Sequence, residues 1–284
     1  GNWGAASAGL LFLTAFGVLD KGRMAEIEAI YVAQTGIAFV LWVKWWREGK
    51  TWRAWTIPWL VLGIGLLTKG PVHLVFIYPV IIVALWRAKS LRELVHPAHF
   101  VGIFLMLAVF LPWMLANLAQ VGDSAKSSGV WTEQILERFR LKGFNFGKWA
   151  VQPFQLVKDF LPWSIPLIWA WWSLRGQKPD STDRWQCVMN GARISILLSF
   201  VILMLSPEML PRYMMPIFPI ASVLVIDLIS RLTKEQQLAL ESTWRLGNRI
   251  VGIVLALSVF VVFWALPKFG GAQASIVGMI FAVL

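Results

Sequence analysis

Three short stretches of this chain carry side chains suited to chemistry on a charged ester. Glu26 and Glu28, within Leu19-Asp-Lys-Gly-Arg-Met-Ala-Glu-Ile-Glu-Ala29, stand at the entry to an apolar run. Lys69, within Gly63-Ile-Gly-Leu-Leu-Thr-Lys-Gly-Pro71, is the only charge between Arg53 and Arg87. Arg212 and Tyr213 lie in Ser206-Pro-Glu-Met-Leu-Pro-Arg-Tyr-Met-Met-Pro216. A carboxylate near a membrane face is able to take a proton from an acceptor hydroxyl; its other use is to cap a helix N-terminus. Asp20 is the natural N-cap residue, so Glu26 and Glu28 exceed what capping needs. A lone ammonium at the end of a hydrophobic segment is costly and marks function in membrane proteins. The competing reading of Lys69 is a snorkelling lysine that ends a helix. A guanidinium fork and a phenol suit a phosphate or a sugar.

The elements that position these groups are apolar. The 284 residues are 58% hydrophobic, with 18 Trp and only 14% charged. A soluble domain has no interior for so much apolar sequence. A single Cys excludes a disulfide framework. With three His and no paired-Cys or His-Glu-x-x-His motif, no metal ligand set is read. A bilayer core of about 30 Å needs roughly 20 helical residues. On that ruler apolar runs fall near 5–19, 27–43, 54–68, 71–86, 99–118, 155–174, 192–206, 212–229 and 249–266, with an incomplete one from 275. This predicts an all-α, polytopic transmembrane bundle of about nine spans plus one incomplete one. The runs are apolar nearly all round, so no 3.6-residue stripe separates an inner from an outer face. Runs 54–68 and 71–86 read as a hairpin turning at Lys69 to Pro71, because proline ends a helix and disfavours α conformation before it. The chain begins at Gly1 and ends inside an apolar run, which reads as the interior of a longer polytopic protein.

The formal charge of +11 would suit nucleic acid if it formed one face. Instead most basic residues sit in short connectors: Lys44/Arg47/Lys50/Arg53, Arg87/Lys89/Arg92, Arg175/Lys178/Arg184/Arg193 and Arg231/Lys234/Arg245/Arg249. That is the pattern of loops held in the cytoplasm, and no nucleic-acid partner is read. The polar oddities then share the other, extracytoplasmic side. Loop 119–154 is too long for a turn. Within it Trp131, Ile135, Leu136 and Phe139 recur at helical spacing, opposite Glu133, Glu137 and Arg138. An interfacial amphipathic helix is expected there, serving as an anchor or as a lining of the substrate entrance together with Gly143-Phe-Asn-Phe-Gly147. His73 reads as a packed or interfacial histidine and not a base, and Cys187 as a cytoplasmic-loop thiol with nothing to activate it.

The order of these motifs resembles a known family. Leu-Thr-Lys-Gly-Pro after a carboxylate-bearing segment, a Glu-Arg-Phe helix before Leu-Pro-Trp-Ser, and Pro-Arg-Tyr-x-x-Pro are similar to the polyprenyl-phosphate-dependent glycosyltransferases. That superfamily, of GT-C type, includes protein O-mannosyltransferases and the lipid A aminoarabinose transferases. The resemblance covers about residues 5–230. It implies a hexosyl- or pentosyltransferase that moves a sugar, with inversion, from an undecaprenyl or dolichyl phosphate donor at the extracytoplasmic face. It places Lys69 beside the donor phosphate, and Glu28 at a conserved acid position with Glu26 as neighbour; Arg212 and Tyr213 join Lys69 as phosphate-binding residues by the chemistry of their side chains. Arg138 and Asn145 are the expected substrate-lining residues. Three positions depart from the family pattern. Glu28 stands where Asp is usual, Met209 where a Lys is common, and Lys142 with Asn145 where a His is common. The family's chief catalytic Asp, in the first extracytoplasmic loop, is expected before Asn2.

The resemblance implies an integral protein of the cell membrane, in bacteria the inner membrane, with its site facing the periplasm or exterior. The partners are the polyprenyl-phosphate sugar, membrane lipids and a lipid A, protein or glycan acceptor. No cofactor is certain, and a divalent ion assisting the phosphate stays open without a ligand set. The alternative from another class is a multi-pass transporter or flippase for a lipid-linked or small anionic substrate. It accounts for the spans and for Lys69, but not for polar groups gathered on one side.

Overall fold

The computed structural model describes residues 2–24, 26–121, 146–174, 183–205 and 211–265, and every regular element among them is helical. Two units are distinguished, Gly1–Arg231 and Leu232–Leu284. The first begins with α1 (Asn2–Leu13) and α2 (Phe16–Arg23), bent by 62° at Thr14-Ala15. One backbone group and one side chain at that break find partners in the turn after residue 159. Phe16 N–H donates to the Leu161 carbonyl at 2.8 Å, and the Trp163 indole donates to Thr14 Oγ1 at 2.9 Å. Then come α3 (Ile27–Arg47), α4 (Thr51–Lys69), a 3-10 turn at Pro71–His73, α5 (Leu74–Arg87), a 3-10 turn at Leu91–Val95 and α6 (Pro97–Val121). After residues 122–145, α7 (Phe146–Asp159), α8 (Ser164–Ser173), α9 (Arg184–Met204), a 3-10 turn at Pro211–Met214 and α10 (Ile217–Ser230) complete it. The second unit holds α11 (Lys234–Ala265).

Helix α3 carries an inward stripe that residue polarity does not reveal. Glu28, Tyr31, Val32, Thr35, Phe39, Trp42, Val43 and Trp46 are buried, whereas Ile30, Ile37 and Val40 are exposed. The spacing is helical, and the aromatic residues Tyr31, Phe39, Trp42 and Trp46 face inward, while β-branched residues lie on both faces. Trp42, Trp46, Trp55 and Trp59 are among the largest fully buried side chains. Trp42 stacks on Trp46 at 5.2 Å, Trp55 meets Trp59 at 4.9 Å, and His99 of α6 lies 4.2 Å from Trp55. Offset and edge contacts of this kind add to the area buried.

Small residues let the helices approach closely, as expected where lipid supplies no hydrophobic drive between them. A Cβ on Gly102 of α6 would stand 1.8 Å from the Trp55 carbonyl oxygen of α4, and one on Gly63 of α4 would stand 2.9 Å from that of Met106. Gly191 of α9 meets the Val80 carbonyl of α5 in the same way. Ser195 and Ser199 of α9 donate to the Phe76 and Val75 carbonyls at 2.7 and 3.0 Å. Helix α4 therefore packs between α3 and α6, and α5 packs on α9. The expected 54–68/71–86 hairpin is not two helices lying along each other. They part after the turn and meet through side chains such as Trp59 and Tyr78, whose polar atoms are 3.3 Å apart.

Four described helices are long and apolar enough to cross a membrane: Ile27–Arg47, Pro97–Asn117, Arg184–Ile202 and Lys234–Phe260; the bent pair α1–α2 would make a fifth. Several expected boundaries change. The 155–174 run breaks at residues 160–163 into α7 and α8, where the Phe160-Leu-Pro-Trp turn interrupts it. The 192–206 run starts earlier, at Arg184, and α11 starts at Lys234, well before 249. Arg193, Arg245 and Arg249 thus lie inside helices and not in connectors. Arg193 sits 5.9 Å over the Trp171 ring, and Arg245 pairs with Glu241 one turn earlier at 3.9 Å. Cys187 is buried in the first turns of α9, not in a loop. The 119–154 loop is shortened at both ends, because α6 runs to Val121 and α7 starts at Phe146. The expected helix at 131–139, with Arg138, and also Lys142, Asn145, Met209 and the run from 275, lie outside the described residues.

Within the first unit Arg47, Arg184 and Arg231, from three of the basic connectors, come together at one end. Arg184 Nη1 donates to the Trp46 carbonyl, Trp46 Nε1 donates to Glu93 at 3.2 Å, and the Arg47 guanidinium covers the Trp185 ring at 4.9 Å. Trp185 Nε1 in turn donates to Asp227 at 2.6 Å, and Asp227 pairs with Arg231.

Candidate functional site

At the opposite end, three chain segments converge: the start of α3, the end of α4 and the Pro211–Met214 turn. Helix α3 opens on Glu26, whose backbone is extended (φ −67°, ψ 147°) and whose side chain makes no cap hydrogen bond. Asp20 is not the N-cap that its residue type suggests. It lies within α2, where Lys21 reaches it at 3.2 Å and Glu26 at 3.1 Å. Glu28 falls in the first turn of α3, where the unpaired N–H groups favour a carboxylate. Lys69 is the last residue of α4, where the exposed carbonyls favour a cation. Gly70 then turns the chain at φ +83°, ψ −167°, a conformation essentially restricted to glycine, and Pro71 starts the next turn.

A phenol on α3 fixes that turn. The Tyr31 hydroxyl donates to the Gly70 carbonyl at 3.3 Å and accepts the His73 N–H. His73 Nδ1 lies 3.0 Å from both the Tyr31 oxygen and the Gly70 carbonyl oxygen. Both side chains are buried, so these polar atoms satisfy one another away from water. His73 is thus a packed histidine that closes the turn. Thr68 adds a second tie, donating to Gln34 of α3 at 3.0 Å.

With the turn fixed, Lys69 Nζ lies 2.8 Å from Glu28 Oε1, and Arg212 Nε lies 3.2 Å from the same oxygen. The Glu28 side chain is 7% exposed, that of Lys69 19% and that of Arg212 43%. The burial increases toward the carboxylate, and the guanidinium is the outermost member. Lys69 Nζ also lies 4.6 Å from the Tyr213 ring centre and 5.9 Å from that of Tyr31, close enough for cation–π attraction. Tyr31, Lys69, Val72, Arg212, Tyr213 and Pro216 line a small pocket at this place. One carboxylate against two cations leaves the cluster with one net positive charge, on residues whose donors point to a common space. Such an arrangement can hold an oxyanion.

Of the residues singled out in sequence, Glu28, Lys69, Arg212 and Tyr213 come together. Glu26 belongs to the neighbouring Asp20–Lys21 group. Arg138 and Asn145 lie outside the described residues. Sequence reasoning did not find Tyr31. Its only signal was the three-residue spacing from Glu28, which puts both on one face of a helix. Among the described residues no group of three or more His, Cys, Asp or Glu is placed to hold a metal ion.

Comparison with known proteins places this geometry in context. Residues 1–115 match the family described as dolichyl-phosphate-mannose-protein mannosyltransferase. An undecaprenyl phosphate-alpha-4-amino-4-deoxy-L-arabinose arabinosyl transferase of Pseudomonas paraeruginosa is 31% identical over 212 residues, which cover 72% of this chain and 35% of that protein. A second enzyme of that name, from Pseudomonas fluorescens, is 28% identical over 278 residues, covering 94% of this chain and 48% of its own length. Among solved structures, ArnT from Cupriavidus metallidurans bound to undecaprenyl phosphate superposes with a TM-score of 0.58 at 20% identity. The match covers 93% of this chain and 46% of that one, and it shows a shared fold. The chain spans less than half the length of each of these three proteins.

Proposed function

The chain resembles the polyprenyl-phosphate-dependent membrane glycosyltransferases in sequence and in fold, and from that premise we propose that its Lys69–Arg212–Tyr213 pocket receives the phosphate of a polyprenyl-phosphate-linked sugar. The full-length protein then passes the sugar to a lipid, protein or glycan acceptor. One observation carries this reading. Two cations from distant parts of the chain, Lys69 and Arg212, are brought to a single oxygen of a nearly buried carboxylate, beside a pocket flanked by Tyr31 and Tyr213. Named relatives act on undecaprenyl phosphate-linked aminoarabinose, so a lipid phosphate fits the pocket's chemistry.

In the proposed reaction the acceptor oxygen forms a bond to the sugar's anomeric carbon as the bond from that carbon to the phosphate oxygen breaks. The electron pair of the broken bond stays on the phosphate, and the acceptor's proton goes to a carboxylate base. The chain's own contribution is to the leaving group. Charge develops on the phosphate oxygen in the transition state, and fixed cations in a site with little water stabilise it most. Lys69 is positioned for this by the Tyr31–Gly70–His73 clamp, and Arg212 offers a planar fork. The aromatic rings and Val72 give the pocket an apolar wall suited to the start of a prenyl chain.

Arg47, Arg184 and Arg231 lie at the other end of the first unit, which supports reading the site as facing away from the cytoplasm, toward the periplasm in a bacterial inner membrane. The test is transfer by purified full-length protein from a radiolabelled polyprenyl-phosphate sugar to an endogenous lipid or protein acceptor fraction. Transfer that depends on Lys69 supports the proposal. Movement of the intact labelled lipid across vesicle membranes without any transfer would favour the transporter or flippase reading instead.

A further inference from the structure

The same site holds a feature that phosphate binding alone does not require, namely a carboxylate lodged between its two cations. We propose that Glu28 sets the charge of the pocket so that it favours the donor, a phosphodiester, over the spent carrier, a phosphomonoester. This rests on the reading of the pocket as the donor-phosphate site. Lys69 and Arg212 both reach Glu28 Oε1, at 2.8 and 3.2 Å, and its side chain is only 7% exposed. Its charge is therefore felt through little water, at about the distance of the pocket itself.

The argument is one of charge matching. The phosphate that joins a sugar to a prenyl chain carries one negative charge, because two of its three acidic positions are esterified and only one ionises. Once the sugar leaves, the carrier is a phosphomonoester, whose second ionisation lies near pH 6, so above that pH it carries two. Lys69, Arg212 and Glu28 together carry one net positive charge. The donor neutralises the cluster, whereas the product overcharges it by one. A pocket holding Lys69 and Arg212 alone would match the product better than the donor, and the spent carrier would be slow to leave. Glu28 thereby acts as a specificity-determining residue for product release. Its interaction with a ligand scales with the ligand's charge, so its removal should act about twice as strongly, in logarithm, on the monoester as on the diester.

The experiment compares binding of undecaprenyl phosphate with binding of its methyl diester by the full-length protein in detergent at pH 8. Glu28→Gln should tighten the diester roughly tenfold and the monoester roughly a hundredfold, and multiple-turnover assays should show stronger inhibition by undecaprenyl phosphate. Glu28→Asp should keep the wild-type ratio. Lys69→Gln should shift the ratio the opposite way, weakening the monoester more than the diester. If Glu28→Gln does not fold, Lys69→Gln combined with Glu28→Gln restores one net positive charge and should return a near wild-type ratio. A ratio in that double variant as displaced as in Lys69→Gln would overturn the inference. So would equal shifts of both ligands in Glu28→Gln. If Lys69→Gln left both affinities unchanged, the pocket would not be the phosphate site, and the functional proposal itself would fall.

Discussion

The sharpest test of the functional reading is Lys69→Ala. The Lys69 ammonium contacts Glu28 at 2.8 Å and its side chain is 19% exposed. A phosphate replacing or joining that contact at about 4 Å would interact with it by about 4 kcal/mol at the effective dielectric of a site near the protein surface. Part of this is offset, because Lys69 gives up some of its attraction to Glu28 and Arg212 stays to compensate. A net loss of about 2–3 kcal/mol remains, which corresponds to roughly 10²-fold in kcat/KM. Lys69→Arg should recover only part of it, because a planar guanidinium does not reproduce a compact ammonium held by a fixed turn. The fold should survive, since Glu28 keeps Arg212 at 3.2 Å and the Tyr31–His73 clamp does not use the lysine side chain. The assay is transfer from a radiolabelled polyprenyl-phosphate sugar, run beside size-exclusion chromatography in detergent. Wild-type turnover by a monodisperse Lys69→Ala protein would refute the phosphate role and return Lys69 to a helix-end residue.

Other expectations are more local. Tyr31→Phe removes the partner of the His73 N–H and Gly70 carbonyl in a buried place, and should cost about 1–3 kcal/mol, seen as a lower Tm in a detergent thermal-shift assay. An unchanged Tm would show that the clamp is not needed to hold the turn. Gly102→Ala would place a methyl 1.8 Å from the Trp55 carbonyl and should destabilise the protein by about 3 kcal/mol or more. Gly247→Ala, with nothing within 4 Å, should be neutral or stabilising by up to about 1 kcal/mol; equal losses of folded yield for the two would defeat the close-packing argument. Single cysteines at Gly49 and Lys89 should react with an impermeant reagent only from the cytoplasmic side, and one at Met24 only from the other. Labelling of all three from one side would contradict the cytoplasmic reading of the basic connectors.

The site was legible in sequence because its members are expensive where they stand. An isolated Lys in a long apolar stretch, two acids at a run's entry and an Arg-Tyr pair between prolines all need a reason, and Glu28, Lys69, Arg212 and Tyr213 do converge. Their convergence itself could not be read, because nothing in one sequence says that residue 212 returns to residue 28. Tyr31 was hidden because an aromatic in an apolar helix attracts no notice until its hydroxyl is seen on Gly70. The inward faces were hidden for a related reason. Hydropathy cannot rank Trp42 against Ile37, yet the first is buried and the second half exposed. Helix limits failed where charge was taken as a sign of a loop. Arg193 and Arg245 are held within helices by Trp171 and Glu241, since a long basic side chain satisfies itself on a helix as readily as beyond its end.

The two cations are mounted differently, and that difference bears on how the pocket works. Lys69 ends a helix that is pinned along its length: Trp55 and Trp59 sit in the aromatic core, Gly63 rests against the Met106 carbonyl, and the turn after it is tied to Tyr31. Its partner Glu28 lies on the same α3 stripe that carries Trp42 and Trp46, and that stripe meets α10 where Gly36 packs on Pro219. Arg212 instead sits on a four-residue 3-10 turn and is the most exposed of the three. In the proposed function the well-packed pair therefore sets where a phosphate would lie, whereas Arg212 has rotamer freedom to lose on closing on one. Preorganised charge costs nothing to reorganise during the reaction, so the proposed reaction assigns the larger share of rate to Lys69. On the same proposal Arg212, reaching in from the turn, would contribute mainly to holding the lipid phosphate before and after transfer, with Glu28 limiting how tightly both cations hold it afterwards.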